Sequence, residues 1–384
     1  MSNLIGARIK ALREERKLSQ DDLARIFGFK DRQTVSAIEN GERRLSAEEL
    51  LIAVEQLGAP LDYFTNPFLL AGEGRFSWRQ SSVAPQRLDA FERSAGRWIA
   101  AQKVLAPRVG RPAPNLRQAL KLTSKSSFED AMAAGERFAA DFNLGPVPAA
   151  NLIGAMEREL GVLVLMVDAI DGVSGAACRL PELDAVLINR HEVPGRRNFD
   201  LAHELFHILT WDAMPPEHIE DSVEQSRIRV EQLANNFASA LLMPAAVLES
   251  YGSWSGDIID RLNTAADALQ VTATAMKWRL VALGWLTAAA AKQIPDAALR
   301  NNGQPPPLLA KMSRSGRSSS RNSGKTSPPQ ELPPLFSRPF MEVVALAIAD
   351  GQLSARRAAD LLDTSLDELA ALCVTHRVEV PFDL

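Results

Sequence analysis

Cysteine is nearly absent from this chain: Cys178 and Cys373 are the only two in 384 residues. They lie far apart and without metal-ligand spacing, which excludes a disulfide framework and a thiolate metal cluster. Both read as buried thiols in a reducing compartment. Histidine is also scarce, at five, and tyrosine scarcer, at two. No apolar run approaches membrane-spanning length, and the amino terminus lacks a signal-peptide pattern. The expectation is a cytoplasmic protein with no membrane association. An excess of positive charge is missing too: the net charge of −4 gives no basis for nonspecific polyanion binding. What remains is ordinary globular material, 46% hydrophobic and 23% charged, long enough for two or three domains.

Against that scarcity, two of the five histidines fall in one hexapeptide, Ala202-His203-Glu204-Leu205-Phe206-His207. Chance would place a His-Glu-x-x-His pattern in a chain of this composition about 0.004 times. On a helix, His203 and His207 are four apart, so both imidazoles project from one face and reach one metal ion. Glu204, next to the first ligand, is placed to act as general base toward water at the metal. A catalytic zinc usually has a third protein ligand. Downstream, Glu231 and Asn235 share a face of a helical pattern that stops at Pro244. Glu231 can complete a two-His, one-carboxylate set, or be a solvated carboxylate at a helix start. Asn235 can accept from the distal N–H of a ligand histidine and so fix its ring.

The segment Phe199–His207, followed by Glu231-x-x-Ala234-Asn235-x-Phe237-Ala238 and Leu241-Leu242-Met243-Pro244, resembles the ImmA/IrrE metallopeptidases over roughly 126–286. The resemblance implies that His203, His207 and Glu231 bind the metal and that Glu204 is catalytic. One departure is Phe206, where many members have glycine; a ring there is expected to narrow the space beside His207. Other residues near this chemistry carry weaker expectations. Asp200 reads as a helix cap, Arg196 and Arg197 as residues preceding the metal helix, and His218 or Tyr251 as a stabiliser of a tetrahedral intermediate.

The amino terminus makes a second argument. Ser19 caps a helix with Asp22 three residues on, and Gly28 ends it. Asp31–Gly41 then gives a short helix that turns Val35 and Ile38 inward and leaves Arg32, Gln33, Thr34 and Ser36 outward. This is a helix-turn-helix pattern, and over about 4–64 it resembles the XRE (lambda repressor-like) domain. The resemblance implies phosphate contacts from Gln20 and Gln33 and base-facing positions at Arg32, Thr34 and Ala37; Arg43 flanks the recognition helix. Yet residues 1–65 hold 10 Lys plus Arg against 11 Asp plus Glu. DNA binding through this unit should therefore rest on local charge and be strongly salt-dependent.

The fold expected is α+β and mostly α. Residues 1–68 form an all-α helix-turn-helix domain and 69–300 a zincin-like domain with a small antiparallel sheet. The Pro- and Ser-rich stretch 301–339 reads as a flexible linker, and 340–384 as a small helical unit. Three strand-like runs lie near 162–167, 175–180 and 185–189, with 75–80 an interdomain strand or hinge. The function expected is a DNA-binding regulator fused to a metal-dependent endopeptidase that cuts a repressor-type protein at a limited site. Its partners would be operator DNA and that protein, with a homodimer left open. Its cofactor would be one divalent metal per chain, Zn2+ by default, with Mn2+ tolerated by the same ligands. The alternative is a non-catalytic regulator or antitoxin-like protein that uses the peptidase fold as a sensor.

Overall fold

The computed structural model describes residues 4–70, 74–80, 83–112, 117–216, 224–254, 256–300 and 332–383. Most of the expected linker, and His218, lie outside the described residues. The fold is α+β and mainly helical, with one four-stranded sheet.

The first five helices are α1 (Leu4–Glu15), α2 (Gln20–Phe27), α3 (Arg32–Glu39), α4 (Ala47–Gln56) and α5 (Leu61–Thr65). Local chemistry sets their ends. Ser19 and Asp22 form a reciprocal capping box, Gly28 closes α2 in the left-handed region, and Asp31 caps α3. Ile9, Leu23, Phe27, Val35, Ile38 and Phe64 make a core of their own. The fully buried Arg8 fastens this bundle to the chain that leaves it: its guanidinium donates to the carbonyls of Tyr63, Asn66 and Leu69.

The sheet contains β1 (Arg75–Gln80), β2 (Leu163–Val167), β3 (Val173–Arg179) and β4 (Asp184–Asn189), in the order β1-β3-β4-β2. It is mixed rather than antiparallel. β1 and β4 flank β3 antiparallel, but β2 runs parallel to β4. The reason lies in burial. β4 is apolar on both faces, with Ala185 and Leu187 in one core and Val186 and Ile188 in the other. A strand covered on both faces belongs in the interior of a sheet, so β4 inserts between β2 and β3 and separates them.

On one face lies α9 (Pro194–Thr210), packed on β3 and β4. It begins at Pro194, whose fixed φ suits a first turn, so Asp200 is an interior helical residue and not a cap. The long α10 (Glu224–Leu242) packs on α9 and very closely on α7 (Phe128–Asp141). A Cβ at Gly135 of α7 would overlap the Phe237 carbonyl of α10, so only glycine permits that approach. Helices α8 (Pro148–Arg158), α12 (Ile258–Leu269) and α13 (Ala273–Ala282) complete this layer, with α11 (Ala245–Glu249) and α14 (Ala288–Gln293).

The other face is covered by α6 (Pro85–Leu105) and by the last three helices: α15 (Arg338–Ala349), α16 (Ala355–Leu361) and α17 (Leu366–Thr375). Phe340, Val344, Leu369 and Cys373 share one apolar cluster with Trp98 and the β-strand residues Leu165 and Cys178. Phe336 also pairs with Met166 at the β2 edge, its N–H donating to the Met166 carbonyl at 2.6 Å. Both cysteines are free and buried. Among the described residues, no helix is long and apolar enough to cross a membrane.

Candidate metal centre and DNA-reading helix

His203 and His207 sit on the buried face of α9 with their Nε2 atoms 3.1 Å apart. Glu231, on α10, brings Oε2 to 3.2 Å from the His203 Nε2 and Oε1 to 3.4 Å from the His207 Nε2. Ligand bonds of about 2.0–2.1 Å in a tetrahedron separate donor atoms by about 3.3 Å, so the three groups already stand at the spacing a metal ion needs. Among the described residues, this is the one group of three His, Cys, Asp or Glu side chains close enough to hold an ion together. The Asn235 Oδ1 accepts from the His203 Nδ1–H at 3.0 Å. That bond leaves the His203 Nε2 with its lone pair toward the centre.

Burial pulls the His203 imidazole down to about 4, so the ring is neutral at physiological pH, the form that ligates. Burial works against the charge of Glu231, but the two imidazoles that face it outweigh burial and hold that carboxyl far below its usual range. Glu204 is 1% exposed and turned toward β3, where the small residues Gly175 and Ala177 make room. Burial pushes its carboxyl well up, and no side chain among the described residues donates to it.

Two further charges belong to this site. Asp200, one turn before His203, is fully buried, and its carboxyl is raised to about 6 by burial. The guanidinium of Arg79, reaching over from β1, stands 3.2 Å from it and lies over the Phe199 ring. Sequence reading missed this pair. Arg79 belongs to a separate strand far upstream, and no spacing rule links the two. Arg196 also approaches Asp200, at 3.8 Å, but shares its charge with Glu192. Phe206 is wholly buried, edge-on to His207 and tilted against Phe237. Its ring fills the core behind the second histidine. Tyr251 stacks on Trp254 at 6.4 Å.

In the amino-terminal bundle, Arg32 and Gln33 are exposed at the start of α3, and Thr34, Ser36 and Ala37 are half-buried. Gln20 and Arg43 are engaged internally. The Gln20 amide donates to Glu39 at 2.9 Å, and Arg43 grips Glu49 through two hydrogen bonds while stacking on Phe29.

Residues 9–64 match a family model described as Helix-turn-helix, and residues 160–281 match a peptidase-family model described as IrrE N-terminal-like domain. Over these two segments the chain is similar to a helix-turn-helix domain and to an IrrE-like peptidase domain. It is also similar to the Radiation response metalloprotease IrrE of Deinococcus deserti, 34% identical over 103 residues. That similarity covers 26% of this chain and 37% of the relative, so the chain spans little more than a third of the relative's length. All three residues that converge on α9 and α10 fall inside the matched IrrE-like segment.

Proposed function

We propose that this protein reads operator DNA through α3 and cleaves a repressor-type protein at a limited site through its IrrE-like domain. One observation carries the peptidase half. His203, His207 and Glu231 converge at the donor spacing of a tetrahedral ion, beside a buried carboxylate that is not part of the set. Charge supports it. Asp200, Glu204 and Glu231 gather three carboxyls at the site, opposed by Arg79 and, at 3.8 Å, by Arg196, and burial raises Asp200 and Glu204 above their usual range. Uncompensated buried charge is costly, and a divalent cation neutralises it.

Zn2+ is the default ion for this donor set, with Mn2+ compatible. When bound, the metal supplies Lewis-acid polarisation of the scissile carbonyl. The chain's own residues do the rest. Glu204 takes a proton from the attacking water and returns it to the leaving amine. Asn235 holds the His203 ring, and Arg79 with Asp200 holds the strand and helix that frame Glu204. β1 lies at the edge of the sheet on this side, where an extended peptide can add as a further strand. The cytoplasm, where DNA and free thiols coexist, is the compartment this reading requires.

Elemental analysis of the purified chain tests the reading. We expect one divalent metal per chain in the parent and loss of it in His203→Ala. Full occupancy in that variant would remove the ligand assignment.

A further inference from the structure

A cavity of about 180 Å3 opens where β2 begins, bounded by α6, the end of α8 and the first turns of α15. None of its lining residues belongs to the metal centre. Among the described residues, buried side-chain oxygens without a hydrogen-bond partner occur in two places. One is around the metal centre, at Asp200 and Glu204. The other is here, at Gln102, Glu157 and Ser337. Proteins rarely leave such atoms unpaired, and those they do leave call for an explanation.

We propose that this cavity binds a small organic cation, a protonated amine carrying an apolar group. Gln102 and Glu157, on two different helices, line it, and Ser337, at the cap of α15, faces Glu157. The Ser337 hydroxyl can give one donor to Glu157, so the acceptors of an ionised Glu157 and of the Gln102 Oε1 outnumber the donors at hand. The protein's own cations are committed elsewhere. Arg111 stands 3.5 Å from Glu342, which also accepts from Arg338 at 2.9 Å. The guanidinium of Arg158 folds back onto Gly154, and its charge reaches Glu157 without forming an ion pair. Glu157 has no ion pair among the described residues, and burial raises its carboxyl to about 7. An ammonium group restores its charge and supplies the missing donors. Leu163, Leu183 and Val343 provide the apolar wall for the remainder of the molecule. Because the cavity joins α6, α8 and α15, an occupant clamps the carboxy-terminal helices to the sheet. The proposal is independent of peptidase activity.

Thermal unfolding of the full chain tests it with three probes of equal length: hexylammonium, hexan-1-ol and hexanoate. Hexylammonium, at about ten times its dissociation constant, should raise Tm by roughly 1–2 °C, and the alcohol and the acid should not. Glu157→Gln, isosteric and uncharged, should bind hexylammonium roughly tenfold or more weakly, the loss expected for a charged hydrogen bond. No response to any probe would show a site filled by water only, equal responses to all three would show apolar binding without charge recognition, and either of these, or undiminished binding in Glu157→Gln, overturns the proposal.

Discussion

At the scale of single residues, the chemistry depends on which carboxylates are ligands and which are not. Glu231 touches both histidines, whereas Glu204 touches neither and faces the sheet. Glu204→Gln should therefore keep the metal and lose proteolysis by about 10²–10⁴-fold, the range for a positioned acid–base group. Metal content and cleavage of a co-expressed repressor are the two measurements; unchanged cleavage would refute the proposed role. Glu157 makes a prediction about pH. Its folded-state pKa of about 7 lies above the ordinary 4.5 because of burial. The folded chain therefore holds this proton more tightly than the unfolded chain. The stability it contributes is fully present below the ordinary value and is lost as pH rises through about 7. Urea midpoints of parent and Glu157→Gln should diverge between about pH 5 and 8, with the parent falling more steeply.

At the scale of elements, β1 has the most to explain. It is the first strand after the amino-terminal bundle, whose Arg8 holds the carbonyls of Asn66 and Leu69 upstream of it. Through Arg79 it also pairs with the buried Asp200 of the metal-bearing helix. Removing Arg79 leaves the buried Asp200 with only the more distant Arg196, at a cost of up to roughly 3–5 kcal/mol. Arg79→Ala should lose stability on that order, and Arg79→Ala with Asp200→Asn should recover much of it. Denaturant unfolding of the double-mutant cycle measures the coupling, and strict additivity would show the pair to be inert. The short α3 illustrates the opposite case, an element whose ends and inward face derive from Asp31, Val35 and Ile38 alone.

At the scale of the whole molecule, the helices beyond residue 331 share with α6 the covering of one sheet face. Phe336, Phe340, Met341 and Val344 are buried there against α6 and the strands. Burying each large apolar side chain contributes about 1.5–3 kcal/mol. A protease cut anywhere within 301–331 should therefore leave 332–384 attached to the rest. The two fragments should co-elute in size-exclusion chromatography without denaturant and part in urea. A carboxy-terminal fragment that elutes alone in native buffer would show the shared core to be weak.

Much of this protein was legible in its residues. The caps at Ser19 and Asp31, the inward Val35 and Ile38, and the four-residue spacing of His203 and His207 are local facts, decided within a turn or two of helix by backbone geometry. The separation between Glu231 and the histidines is not local. Helical period showed only that Glu231 and Asn235 share a face; which face meets α9 depends on how closely α10 packs, which Gly135 on a third helix permits. The same limit explains the rest. The parallel pairing of β2 with β4, the interior position of Asp200, its pairing with Arg79, and the joining of α15 to the sheet all arise between segments distant in the chain. Tertiary packing alone decides them, because two apolar faces or two opposite charges meet only after the chain has closed the loop between them.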